Sequence, residues 1–352
     1  MKNRRDFLQQ TTFAGLGVLL TSKTGLAANT FSFLAPSSKI NGVQIGVITY
    51  SFRSLPGSAE QILQYCKTAG ITAIELMGDP AEAFAGSPVG LLDMSGFSKM
   101  KPAAPPTPTP PPVAGAPAKA PAFTIPPEFL KMMEERNAKA RTWRETASMD
   151  KFVELRKMFN EAGITIYAFK PDSAMSMKST DAEIDYAMRA AKALGAKSVT
   201  IELPENPEHS KRLGAFASKH QVYVGYHAHT QATDTAWDLA LSQSPYNSIN
   251  LDCGHYIAAG GNNTKETLLA FINKHHARIT SMHIKDRLNA AHGGNNMPWG
   301  QGDTPLKDIL SLLRDKKYDI PATIELEYDI PEGSDAVQET KKCVDYAKKL
   351  IG

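Results

Sequence analysis

From Gly42 onward, short β-rich runs alternate with helical stretches, and this alternation constrains the fold more than any other feature of the chain. Eight runs read as strands: Val43–Thr49, Thr72–Leu76, Thr165–Phe169, Ser198–Glu202, Val222–Tyr226, Ile249–Asp252, Ile279–His283 and Ala322–Glu327. Apolar residues spaced by three and four predict helices over Ala59–Ala69, Lys151–Glu161, Asp181–Leu194, Lys265–Lys274 and Leu306–Arg314. Gly70, Gly163 and Gly195 each stand between such a helix and the next strand, where a glycine ends a helix. Eight β/α alternations imply a parallel α/β barrel, the single-domain (β/α)8 TIM fold.

One region breaks the rhythm. Residues 87–127 are rich in Pro and Ala, including Pro105-Pro106-Thr107-Pro108-Thr109-Pro110-Pro111-Pro112. Such a run forms neither helix nor central strand and lacks the large apolar residues of a core. It reads as an extended, disordered excursion from the loop after strand two, emerging on the face where the strands end. Pro126-Pro127-Glu128 then starts a helix through Arg144. The three cysteines, Cys66, Cys253 and Cys343, are too scattered for a disulfide framework or a zinc motif and read as packed thiols.

The first 28 residues read as an address. Asn3-Arg4-Arg5-Asp6-Phe7-Leu8 resembles the twin-arginine export signal, a mildly apolar run follows over Thr12–Leu20, and Gly25-Leu26-Ala27-Ala28 offers small residues for cleavage. The run is too short to span a membrane. Residues 1–28 are therefore expected to be a signal peptide, 29–40 a linker and 41–352 the barrel, with the mature protein periplasmic. The whole chain carries a formal charge of +3. The leader alone has four basic residues and one acid, so the body is close to neutral. A neutral body has no field for gathering polyanions, which argues against nucleic acid as a partner.

Polar residues at the C-terminal ends of barrel strands converge on one mouth. Strand two ends with Glu75, strand three with Lys170 and strand four with Glu202. Strand five runs into His227-Ala228-His229, strand six into Asp252-Cys253-Gly254-His255, strand seven into His283-Ile284-Lys285-Asp286-Arg287, and strand eight into Glu325-Leu326-Glu327. Inward carboxylates and imidazoles in this number repel one another and cost several kcal/mol unless a cation joins them. Mixed nitrogen and oxygen donors without thiolate suit one divalent ion: Mn, Co, Mg, Fe or Zn.

The stretches Val224-Gly225-Tyr226-His227-Ala228-His229, Asn250-Leu251-Asp252-Cys253-Gly254-His255, Met282-His283-Ile284-Lys285-Asp286, Trp299-Gly300-Gln301-Gly302-Asp303 and Ala322-Thr323-Ile324-Glu325 together resemble the sugar isomerase/epimerase superfamily with the xylose-isomerase-like barrel. The resemblance covers roughly residues 40–352 apart from the proline-rich stretch. In that family a Glu on strand five, an Asp on strand six, a His on strand seven and a Glu on strand eight bind the metal. Asp252, His283 and Glu325 match three of these. His227 stands where the fourth is expected, and Glu202 one strand earlier could supply the missing carboxylate, so Glu202 and His227 compete for that place.

The resemblance implies an enediolate formed from a small-molecule sugar, with two carboxylates trading a proton in the epimerases. Loss of the strand-five Glu weakens that scheme and brings forward His227 and His229 as proton carriers, with Glu202 and Glu325 as the carboxylate alternative. Elimination from a 3-keto-glycoside, as in the lyase and inosose-dehydratase-like relatives, is then expected ahead of isomerisation or epimerisation. A non-catalytic sugar-binding module is a further alternative. Glu75, Lys170, His255, Lys285, Arg287 and Glu327 are assigned to substrate contacts, and Trp299 to sugar stacking. Export makes an unphosphorylated sugar the expected substrate. The sequence gives no basis for an oligomeric state.

Overall fold

Eight parallel strands close on themselves. They are β1 (Val43–Ile48), β2 (Ala73–Met77), β3 (Thr165–Lys170), β4 (Ser198–Glu202), β5 (Tyr223–His227), β6 (Asn247–Asp252), β7 (Ile279–Ile284) and β8 (Ala322–Ile324). Each pairs with its successor, and β8 returns to β1, with Ala322 opposite Ile45 and Ile324 opposite Val47. The computed structural model describes residues 37–91 and 127–352, all within one compact unit. The leader, most of the expected linker and most of the proline-rich stretch lie outside the described residues.

Helices form over the five stretches that apolar spacing marks and over the one after Pro126-Pro127, and further helices complete the layer. They are α1 (Ala59–Ala69), α2 (Gly78–Phe84), α3 (Pro127–Thr146), α4 (Asp150–Glu161), α5 (Asp181–Leu194), α6 (Pro207–His220), α7 (Asp238–Gln243), α8 (Cys253–Ala259), α9 (Lys265–His275), α10 (Leu306–Lys316) and α11 (Ala336–Ile351). Ser58 and Thr180 open α1 and α5 with reciprocal capping boxes, each satisfying two otherwise unpaired donors. Two expectations shift. The linker's last residues, Lys39–Ile40, pair antiparallel with β1. Strand eight stops at Ile324 rather than Glu327, because the following backbone is held by side chains instead of a ladder: Ser51 Oγ accepts from Leu326 N at 3.1 Å, and Arg53 donates to Leu326 O at 2.6 Å.

Inside the barrel, Gly46 leaves room for Tyr167. A Cβ at Gly46 would lie 2.9 Å from that ring, and the Tyr167 hydroxyl bonds Thr323 across the barrel at 2.5 Å. The buried Glu75, Asn250, Ser281 and His283 side chains form a continuous polar chain. The apolar core lies where the helices cover the outer faces of the strands.

The described ends of the proline-rich stretch are tied to the barrel by a buried ion-pair network. Arg144 of α3, 2% exposed, donates to both carboxylate oxygens of Glu82 on α2, at 2.8 and 3.0 Å, and to Ser173 at 2.6 Å. It also reaches Glu183 of α5 at 3.3 Å. Only Ala140 and Arg144 are buried along α3, so its docking rests on this residue far more than on apolar area. Arg144→Ala leaves Glu82 buried without its partner and is expected to lower stability by about 3–5 kcal/mol in urea titrations.

Candidate active site

The mouth is built by strand ends that aim alternate residues inward. Asn250 and Asp252 share one face of β6, and His283 and Lys285 continue one face of β7. His227 Nδ1 faces Asn250 Oδ1 at 3.0 Å. Since the amide oxygen only accepts, the ring proton sits on Nδ1 and Nε2 keeps its lone pair. That Nε2 lies 3.9 Å from Asp252 Oδ2. Asp252 uses its other oxygen to cap α8, accepting from His255 N at 2.6 Å. Oδ2 is fully buried and ion-paired with Lys285 at 3.1 Å, yet accepts no well-directed hydrogen bond.

Lys285 occupies the centre of the cluster. Its ammonium lies 2.6 Å from Glu327, 2.7 Å from Glu325 and 3.1 Å from both Asp252 and His255. The chain reaches this place because residue 254 is glycine: a Cβ there would fall 2.4 Å from Lys285 Cγ. His283 lies between two carboxylates, with Nδ1 3.0 Å from Glu325 and Nε2 2.9 Å from Glu75.

These contacts set the charges. Burial opposes ionisation of Lys285, but Asp252, Glu325 and Glu327 outweigh it and hold the ammonium charged. Burial likewise opposes a charged His283, yet Glu325 and Glu75 raise it to about 10. Glu325 is held well below the usual carboxylate range against its own burial, by Lys285 and then His283. His227 is lowered to about 4, by burial and then by the charge on His283. His255 is lowered to about 2, by burial together with Lys285, His229 and Arg287, although Asp252 opposes the shift. Two neutral imidazoles therefore stand beside a compact group of fixed charges at neutral pH.

Among the described residues, two sets of donor atoms lie within 4.8 Å of one another: His227, Asp252 and His283, and His227, His229 and His255. The first set fits a divalent ion. The free Nε2 of His227 and the hydrogen-bond-orphaned Oδ2 of Asp252 face each other, and Glu325 adjoins His283 Nδ1. Glu75 on Nε2 is the outer carboxylate that orients a ligating histidine.

Glu202 belongs to neither set, although it adjoins His229 of the second. Half its side chain is exposed, and it lies 3.3 Å from Lys170 and 3.6 Å from His229. Lys170 also pairs with Asp172 at 3.2 Å. Arg287 bonds His255 Nδ1 and the Gly294 carbonyl, so it is tied into the mouth rather than to a surface acid. Trp299 is 8% exposed and edge-on to Tyr346 of α11 at 6.4 Å, packing against that helix instead of standing open as a stacking face.

Sequence reasoning did not single out two residues. Asn250 fixes the His227 tautomer and also donates to Glu75 and Ser281; its signal was the two-residue spacing from Asp252. Asp286 gathers the backbone N–H groups of Gly300, Gln301, Gly302 and Thr304, which shapes the glycine-rich loop.

The family model for the xylose isomerase-like TIM barrel matches residues 130–350. No curated protein matches the sequence. A probable 3-DHS dehydratase from Bacillus anthracis superposes with a TM-score of 0.55 and 15% identity, over 86% of this chain and 98% of its own. The 3-keto-D-glucoside 4-epimerase of E. coli gives 0.52 and 12%, over 87% and 99%. The D-psicose 3-epimerase of Clostridium cellulolyticum H10 gives 0.53 and 11%, over 88% and 99%. Identities this low show a shared fold alone. No described helix is long and apolar enough to cross a membrane.

The fixed charge on His283 has a measurable consequence. An unfolded histidine titrates near 6.5, so the stabilisation from its raised folded value is complete below that pH and is lost as pH climbs towards about 10. In protein stripped of divalent ions, the unfolding free energy from urea titrations is expected to fall between about pH 7 and about pH 9, by on the order of 1 kcal/mol per pH unit. His283→Asn should flatten that slope.

Proposed function

Given that this chain belongs to the xylose isomerase-like TIM-barrel family, we propose that it is a divalent-metal-dependent enzyme that eliminates the substituent of an unphosphorylated 3-keto-glycoside. The observation that carries this reading is the row of histidines beside the carboxylate cluster. The His227 ring lies 5.0 Å from His229 and 5.9 Å from His255, and His229 lies 4.5 Å from His255. Elimination takes a proton from carbon and returns one to a leaving oxygen, and an imidazole at neutral pH performs both tasks.

The ion is assigned to His227, Asp252, His283 and Glu325, with Glu202 left to the substrate side. Bound there, a divalent ion supplies Lewis acidity towards a ketone and its neighbouring hydroxyl. His229, oriented by Glu202, takes the proton from C2 of the 3-keto sugar. Electrons from that C–H bond become the C1–C2 double bond as the C1–O bond breaks, and the pair leaves on the glycosidic oxygen. The same imidazolium protonates that oxygen, giving a 2-hydroxy-glycal-type enone and a free aglycone. Lys285, already charged and desolvated, stabilises negative charge as it develops on the sugar oxygens. Lys170 and Arg287 contact hydroxyl groups. The leader motif supports twin-arginine export to the periplasm, where unphosphorylated sugars fit.

Mn²⁺-loaded protein incubated with a 3-keto-glucoside in D₂O and followed by NMR tests this reading. Release of the aglycone with the enone is expected. Deuterium at C2 without release would replace elimination by epimerisation or isomerisation, with Glu202 and Glu325 as the acid–base pair. His229→Ala is expected to lower kcat by about 10²-fold or more while leaving metal content unchanged. Asp252→Asn should lower metal content and activity together.

A further inference from the structure

The mouth has two chemically different halves. Charged and imidazole side chains stand over β4 to β8. Over β1 to β3 lies a cavity of about 620 Å³, within the usual range for small-molecule sites. Most of its wall area is apolar: Phe52, Leu55 and Pro56 follow β1, Met77 and Pro80 belong to the end of β2 and the start of α2, and Met133 comes from α3, with Arg53 and Asp79 among the polar members.

Two residues border both halves. Tyr50 lines the cavity, and its phenol feels the charges of Glu327, Glu325 and Lys285. Lys170 lines it too, and pairs with Glu202, which in turn faces His229. A group bonded to a sugar seated among the charges therefore extends over Tyr50 and Lys170 into the cavity. A bare sugar carries a hydroxyl on nearly every carbon and would leave this wall uncovered. A second sugar there would find donors and acceptors for only part of its hydroxyl set, the rest lying against apolar wall.

We infer that this cavity is an aglycone subsite and that the substrate carries a bulky apolar, aryl or polycyclic, group on its anomeric oxygen. The inference rests on the elimination reading, because the aglycone is the group that reading expels. The same cavity gives that group a place to bind before the C1–O bond breaks and to leave afterwards.

Binding without turnover tests it. The probes are 4-methylumbelliferyl β-D-glucoside and methyl β-D-glucoside, both unoxidised, titrated into metal-loaded protein by calorimetry. The aryl glucoside is expected to bind at least about tenfold more tightly, since burying a two-ring apolar group is worth more than the roughly 1.4 kcal/mol that a factor of ten requires. Leu55→Asp and Met133→Asp, both at half-buried positions, should each remove most of that preference and leave methyl glucoside binding unchanged. Equal affinities for the two probes, no detectable aryl glucoside binding, or equal losses for both probes in the variants would overturn the subsite. Inactivity towards 3-keto-glycosides with the aryl preference intact would instead sink the elimination reading and leave the subsite standing.

Discussion

The site depends on one ion-pair cluster, Lys285 among Asp252, Glu325 and Glu327. A barrel forces residues at the ends of neighbouring strands towards a common axis, so acids there cannot avoid one another. Alone, they would be protonated or would splay the mouth. With an ammonium at 2.6–3.1 Å and a charged His283 braced by Glu75, Asp252, Glu325 and Glu75 stay ionised while buried. Burial first, and then the positive charges of His283 beside His227 and of Lys285 beside His255, keep protons off these two imidazoles. A divalent ion taken up by His227, Asp252, His283 and Glu325, as proposed, would compete with Lys285 for these oxygens.

Much of the scaffold was legible because its elements obey local rules. Ser58 and Thr180 open helices, Gly70 and Gly195 close them in left-handed conformations, and apolar spacing marks α1 and α5 to the residue. Elements governed by tertiary context were not. Strand β8 is short because Ser51 and Arg53 take over its backbone partners. Helix α8 starts inside the stretch read as a strand ending, since Asp252 is at once the last strand residue and the helix cap.

The site shows the same division. Their positions at the C-terminal ends of strands placed Asp252, His283, Lys285 and Glu325 at the mouth. Sequence alone could not say that Glu202 would remain half-exposed beside Lys170 and His229, because that depends on where the side chain turns at the rim. Nor could it say that Trp299 would pack on Tyr346, because its partner lies on the last helix, far along the chain. Asn250 is the instructive omission: an uncharged residue that decides which nitrogen of His227 is free.

The mouth pairs a charged half with a largely apolar one, and both arise from one barrel because loops after β1 and β2 are free to differ from those after β5 to β7. The decisive measurement is anomalous diffraction from crystals grown with Mn²⁺. A peak is predicted within coordination distance of His227 Nε2 and Asp252 Oδ2, with His283 and Glu325 completing the contacts and Lys285 turned aside. A peak beside Glu202 and His229 alone, or none at saturating Mn²⁺, would contradict the assignment of this cluster as the metal centre.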